Sequence, residues 1–218
     1  MKKLILTTLI FVCVASLFAQ ETEVIYSEKE DKRPMNTLFG DDKGFGGHLS
    51  LNARGAEFYD ETALFLGGEL VFTLSHALNL GVAGYGMPTR IEYQDTQNDY
   101  LADLNLEFGY GGLFVEPVFF DQQVVHFTVP VLIGAGWAAL SDDSFLNNPG
   151  GVNNFRIYQE SVFFVFEPGI NLEVNLVRHI KLAFGGSYRL VNGSDLNQIA
   201  DSDLSGFSFG GGIRVGWF

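Results

Sequence analysis

Cysteine is all but missing from this chain: the single one, Cys13, falls inside an apolar N-terminal stretch. The remainder has no thiol, so no disulfide framework holds it together. Lysine nearly disappears as well, with only Lys181 after Lys43. Lys and Arg total 13 against 26 Asp and Glu, and the net charge of −13 excludes a nucleic-acid binder, which carries basic patches. Past the N-terminal stretch no run is apolar enough for a membrane-spanning helix. No glycine-rich loop opens a helix pattern, so a phosphate-cradling motif is absent too.

What is present begins with a leader. Met1-Lys2-Lys3 is basic, Leu4 to Phe18 is apolar, and Ala19 is a small residue at which a secretory signal peptide would end, giving 1–19 as the leader. Leu17, three residues before the cut, makes the site slightly irregular. Val12 directly before Cys13 is not the small residue a lipoprotein needs, which argues against a lipid anchor. Cleavage removes Lys2 and Lys3, leaving about 199 residues with a charge of about −15, one domain's worth. Residues 20–43 are polar and highly charged (Glu21, Glu23, Glu28, Glu30, Asp31, Lys32, Arg33) and read as a flexible lead-in.

From residue 44 to 218 the dominant signal is a period of two. Eight alternating runs are expected, at 44–58, 63–74, 78–90, 101–119, 124–140, 161–176, 180–191 and 207–218. In the sixth, Val162, Phe164, Phe166, Pro168, Ile170, Leu172, Val174 and Leu176 share one face, while Glu167, Gly169, Asn171, Glu173 and Asn175 share the other. In the last, Phe207, Phe209, Ile213, Val215 and Trp217 alternate with Ser208, Gly210, Gly212, Arg214 and Gly216. Such strands suit a wall with lipid on one side and a crowded polar interior on the other. Three connections are tight (Ser75-His76-Ala77, Asp121-Gln122-Gln123, Val177-Arg178-His179), whereas 91–100, 141–160 and 192–206 are long and rich in Asp, Asn, Gly and Ser. Pro117, Pro130 and Pro168 fall within runs and lack ladder donors, so bulges are expected at them. A further bulge near Gly111-Gly112 is expected to slip the fourth run's phase; without it Glu116 would face lipid.

The leader, the eight runs, the alternation of short and long connections and the closing aromatics resemble the small bacterial outer-membrane β-barrels of the OmpA transmembrane domain and OmpX type. Segments such as Phe108-Gly109-Tyr110-Gly111-Gly112-Leu113 are similar in style to barrels of Bacteroidetes-type bacteria. The resemblance implies an all-β, eight-stranded antiparallel up-and-down transmembrane barrel at 44–218, with 20–43 in the periplasm and the long loops outside. It also implies lipid and lipopolysaccharide as surroundings. Trp217 and Phe218 would serve as the C-terminal signal read by the barrel assembly machinery, although the outward phase falls on Trp217 and leaves Phe218 one step off.

Eight strands enclose room for side chains or one small ligand. The inward phase places Arg54, Lys181, Arg189 and Arg214 against Glu69, Glu107, Glu167 and Glu173, with Glu116 joining them if the phase slips. Charges in such a tube must pair, so the expected content is a salt-bridge network that fills the barrel. The alternative is a narrow polar path for a small solute, helped by inward glycines such as Gly67, Gly134 and Gly210. A lipid-modifying enzyme is a third class, because His126 and Thr128 lie two apart with Glu116 or Glu173 in range. Threonine is a weak nucleophile there, however, and His126 sits beside a tight turn, far from the outer leaflet. His48 beside Ser50 meets the same objection; His76 and His179 read as solvated turn residues. Asp142-Asp143 and the trio Asp195, Asp201 and Asp203 read as solvated acidic loops, not as a calcium loop. No catalytic residue, cofactor or metal site is therefore expected. The reading that results is a non-enzymatic barrel that offers its loops to an envelope partner.

Overall fold

The computed structural model describes residues 45–58, 61–75, 77–89, 91–93, 104–121, 123–141, 157–197 and 199–218. Asp142-Asp143, Tyr59-Asp60, His76 and the proposed leader and lead-in lie outside these residues. The strands are β1 (Phe45–Phe58), β2 (Glu61–Leu74), β3 (Leu78–Gly86), β4 (Glu92–Tyr93), β5 (Leu104–Phe119), β6 (Val125–Thr128), β7 (Val131–Ser141), β8 (Ile157–Val177), β9 (Ile180–Asn192) and β10 (Gly206–Trp217). Among the described residues one short helix, α1 (Asp201–Leu204), precedes β10.

Neighbours in sequence pair antiparallel, and the sheet closes on itself. β1 pairs with β10 from Gly47↔Trp217 to Ala56↔Ser208. β3 pairs with β5 from Leu78↔Pro117 to Gly86↔Gly109. β6 and β7 are one strand interrupted at Val129-Pro130, since both pair with β5 on one side and β8 on the other. β4 is a short extension that pairs only with β5. The ring therefore has eight positions, an all-β antiparallel up-and-down barrel whose closure leaves no sheet edge along the wall.

The wall is inverted relative to a soluble protein. Leu49, Leu51, Leu66, Leu70, Phe72, Leu113, Val162, Phe164, Ile170, Phe184, Phe209, Ile213 and Val215 point out and are exposed. Charged groups such as Glu69, Glu116, Glu167, Glu173, Arg189 and Arg214 point in and are buried. An exposed apolar belt of this extent is stable only against hydrocarbon, which fixes the surroundings as a bilayer. Among the described residues no helix is long and apolar enough to cross a membrane; the strands do the crossing.

Two expectations about irregularity need correction. The prolines do not produce bulges. Register is constant through Pro117, Pro130 and Pro168, and the ladder is interrupted instead. Val129 N donates to Pro117 O at 3.1 Å, and Gly169 N donates to Pro130 O at 2.8 Å, so the neighbouring donors keep partners across the break. Register shifts occur at Leu140/Ser141 and between Asn175 and Val177, near strand ends. Nor does β5 slip at Gly111-Gly112: it keeps one register with β3 and β7 throughout. Gly112 and Gly134 are partners across β5 and β7, and a Cβ on Gly112 would stand 2.5 Å from the Gly134 Cα. These glycines allow a close approach of two backbones without an extra residue.

The phase is continuous, so Leu104, Leu106, Phe108, Tyr110, Phe114 and Glu116 all face inward. Glu107 faces the outer side. The inner surface itself changes from apolar to polar along β5, which imitates a slip in sequence.

Candidate functional site

The barrel interior is layered. At the end carrying the tight turns, a mouth of ≈ 310 Å³ is lined by Thr73, Asn79, Asp121, Arg178, Lys181 and Phe218, among others. The Lys181 ammonium sits 4.0 Å above the Phe218 ring, and His48 packs against the same ring, 5.3 Å between ring centres. The terminal residue, expected only as part of an assembly signal, thus also floors the mouth.

Above it lies the main charged layer. The Arg214 guanidinium, 1% exposed as a residue, bonds Glu116 through both terminal nitrogens, at 2.7 and 3.0 Å. The same group bonds Glu173 and lies 3.5 Å from Glu69. Glu116 also accepts from Thr128 Oγ1 at 2.7 Å and Asn79 Nδ2 at 2.8 Å. Glu173 meets His126 Nε2 at 2.9 Å, with Lys181 at 3.8 Å. Carboxylates of β2, β5 and β8 thus converge on one cation of β10, and a planar fork that serves several carboxylates at once is what arginine provides and lysine does not.

The next layer is built on Arg54. It bonds Glu167 at 2.6 Å and the Tyr85 hydroxyl, and stands 3.7 Å from Glu69. Tyr85 in turn donates to Glu69 at 2.8 Å, and Ser187 donates to Glu167 at 2.6 Å. Glu69 touches both arginines and links the two layers.

Arg189 is placed otherwise. It is fully buried, but its guanidinium carbon lies 4.7 Å from the Phe65 ring centre, 4.9 Å from Phe108, 5.2 Å from Phe58 and 5.4 Å from Tyr110. Its Nε donates to Leu204 O at 2.9 Å. Four aromatic faces supply a negative quadrupole around the cation in place of a carboxylate. Phe58, Phe65, Phe108, Tyr110 and Phe163 pack edge-on and stacked at this level, with ring centres 4.7–6.2 Å apart. Sequence reasoning took the lumen to be filled by charge pairs and missed this aromatic layer.

Residues 193–197 and 199–205 pack onto this apolar layer. Leu196, Ile199 and Leu204 are buried in the same apolar cluster as the rings. Asp201 accepts from Gly193 N at 3.0 Å and Ser194 N at 2.9 Å, while Asp203 accepts from Ala200 N at 2.9 Å. Ser205 ties to Val191 N and Asp201 O. The acids expected here to be solvated leave Asp195 exposed and Asp201 and Asp203 half-exposed, and the last two also hold backbone; the packing role lay instead in the spacing of Leu196, Ile199 and Leu204.

Of the predicted lumen charges, Arg54, Glu69, Glu167, Glu173, Lys181 and Arg214 come together with Glu116. Arg189 is inward but caged by rings, and Glu107 is not inward at all. The His126–Thr128 pair does not form a nucleophile and base: His126 faces Glu173 while the Thr128 hydroxyl donates to Glu116. Trp217 is exposed on the outer wall, and Phe218 is turned to the mouth.

A closed eight-stranded antiparallel ring with an apolar exterior and a polar interior is the fold of the small outer-membrane β-barrels, and the chain has that fold. Solved structures of that fold resemble it. Neisserial surface protein A matches with a TM-score of 0.52 at 12% identity, over 78% of this chain and 96% of that one. Ail of Yersinia pestis, solved with the heparin analogue sucrose octasulfate, matches with a TM-score of 0.44 at 10% identity, over 80% and 99%. OprG of Pseudomonas aeruginosa matches with a TM-score of 0.44 at 9% identity, over 79% and 93%. No protein-family model and no curated protein sequence matches the chain.

Proposed function

We propose that this protein is a plugged, non-enzymatic barrel of the outer membrane that serves as a rigid platform for its long loops. Its role is structural or partner-binding. The observation that carries the reading is the filled lumen: a charged floor, an aromatic layer around Arg189 and the buried side chains of Leu196, Ile199 and Leu204 occupy it, and the pocket beside Arg54 measures ≈ 20 Å³, room for about one water. A tube closed at three levels is built to stay rigid, and its variable surface lies in the loops. In this reading residues 1–19 are a cleaved leader and 20–43 a periplasmic lead-in. The tight turns face the periplasm, and the aromatic end at Trp217 and Phe218 is read by the barrel assembly machinery. Lipopolysaccharide surrounds the outer half, and an envelope protein meets the loops.

The test exchanges the connection between β7 and β8 (residues 142–156) for a short turn and measures cross-linked partners in intact cells. The reading expects partners to be lost while the barrel still resists unfolding. An unchanged set of partners would count against it. A narrow solute channel is the rival reading, favoured by the glycine-lined cavity beside Arg54, and it requires Arg189 or Arg214 substitutions to alter conductance.

A further inference from the structure

The mouth at the tight-turn end offers ≈ 310 Å³, enough for a small ligand, and its wall carries charge of both signs. Two neighbouring turns supply it. β6 pairs with β8, so the turn after β5 lies beside the turn after β8. The first brings Asp121 to the mouth and the second brings Arg178, with Lys181 following at the start of β9.

Polar groups are left over here. The Lys181 ammonium stands 3.8 Å from Glu173, beyond hydrogen-bond reach, and rests on the Phe218 ring instead. Glu173 is already served by Arg214 and His126. Arg178 is exposed and has no ion pair among the described residues. Asn175 spends its amide nitrogen on Gln123 O at 3.0 Å, and its Oδ1 is buried without a partner. The mouth thus offers two cations, Arg178 and Lys181, and two acceptors, Asp121 and Asn175 Oδ1, to a single occupant.

The rim beside them is apolar. Leu176 and Val177, directly before Arg178, are exposed, and so are Phe45, Phe120 and Trp217 at the same end of the barrel. Exposed aromatics at the strand ends form the girdle that marks the membrane boundary, so the lipid headgroups of that leaflet lie level with the mouth.

We propose that the mouth binds the phosphoethanolamine headgroup of a phospholipid from the leaflet at the tight-turn end. The phosphate meets Arg178 and Lys181, whose N–H groups make charge-assisted bonds to its oxygens. The headgroup ammonium meets Asp121 and Asn175 Oδ1, and the acyl chains run along the wall beside Leu176 and Val177. Charge complementarity selects this zwitterion over a purely anionic lipid, which would set its phosphate beside Asp121 with no cation of its own to offer.

Native mass spectrometry of the folded barrel, equilibrated in detergent with short-chain phosphatidylethanolamine or phosphatidylglycerol, tests this beside Arg178→Gln and Asp121→Asn. Both side chains stand at the rim, and the compact gel-mobility form verifies that the variants fold. The wild-type barrel should retain one phosphatidylethanolamine, preferred about fivefold over phosphatidylglycerol. Arg178→Gln should lose both lipids, and Asp121→Asn should lose only the preference. Equal retention of the two lipids by the wild type, a preference that survives Asp121→Asn, or retention untouched by Arg178→Gln overturns the proposal. So does displacement of the lipid by an equal concentration of free phosphoethanolamine, which would make the occupant a soluble phosphate.

Discussion

Replacing Arg214 by Met should be the most damaging single change in the lumen. Met reproduces the Arg stem as far as Nε, so the packing of the stem is kept, and what disappears is the cationic fork shared by Glu116, Glu173 and Glu69. His126 and Lys181 remain near Glu173, but among the described residues the Arg214 guanidinium is the only cation in the ion pairs of Glu116. Removing one partner of a buried pair costs about 3–5 kcal/mol, because it strands the other charge. That range is the expected loss, at the upper end since more than one carboxylate is stranded.

Reversible urea unfolding in micelles, followed by the fluorescence of Trp137 and Trp217, measures it. A cycle with Glu116→Gln isolates the pair. Once Glu116 is neutral, Arg214→Met should cost less, with a coupling of about 1–3 kcal/mol. A loss below about 1 kcal/mol, or strictly additive effects, would refute the claim that Arg214 holds the charged layer together.

Other outcomes follow from the same layers. Phe108→Ala opens a void in the centre of the aromatic layer and should destabilise by about 3–5 kcal/mol in the same unfolding assay. Glu107→Gln, on the outer side of β5, should change stability by less than about 1 kcal/mol, whereas a lumen position would cost several times more. Asp201→Ala removes the acceptor for Gly193 N and Ser194 N, so hydrogen exchange should quicken across 193–205 while β1 to β10 stay protected. Gly134→Leu should prevent refolding to the compact gel-mobility form, because even a Cβ there would stand 2.1 Å from Gly111 O.

The strands were legible because lipid demands an apolar residue at every second position, and each run expected from that period overlaps an observed strand of the barrel. Boundaries moved by a few residues, most at the start of β8, Ile157 and not 161, and at the end of β3, Gly86 and not 90. What misled was the inner face. A reading that equates inward with polar fails where the interior turns apolar, and this is why Glu107 was expected inward on the strand where Leu106, Phe108 and Tyr110 hold the inner face. Height along the barrel is a second property that alternation does not encode. Arg189 and Arg214 look alike in sequence, yet one meets carboxylates and the other meets rings, because the strand stagger carries them to different layers. Segment 193–205 hid its role behind its acids: Asp201 bonds its own backbone, and the buried groups are the leucines and isoleucine between.

The central claim is that the lumen is closed by its own side chains and by 193–205. Single-channel recording of the refolded mature chain in a planar bilayer tests it most directly, with Arg214→Ala recorded beside it. The account predicts no unitary steps from either protein, since the aromatic layer above Arg214 stays in place when that side chain is cut back. Steady steps from the folded wild-type barrel, altered in size by the substitution, would contradict it and make the lumen charges the lining of a channel.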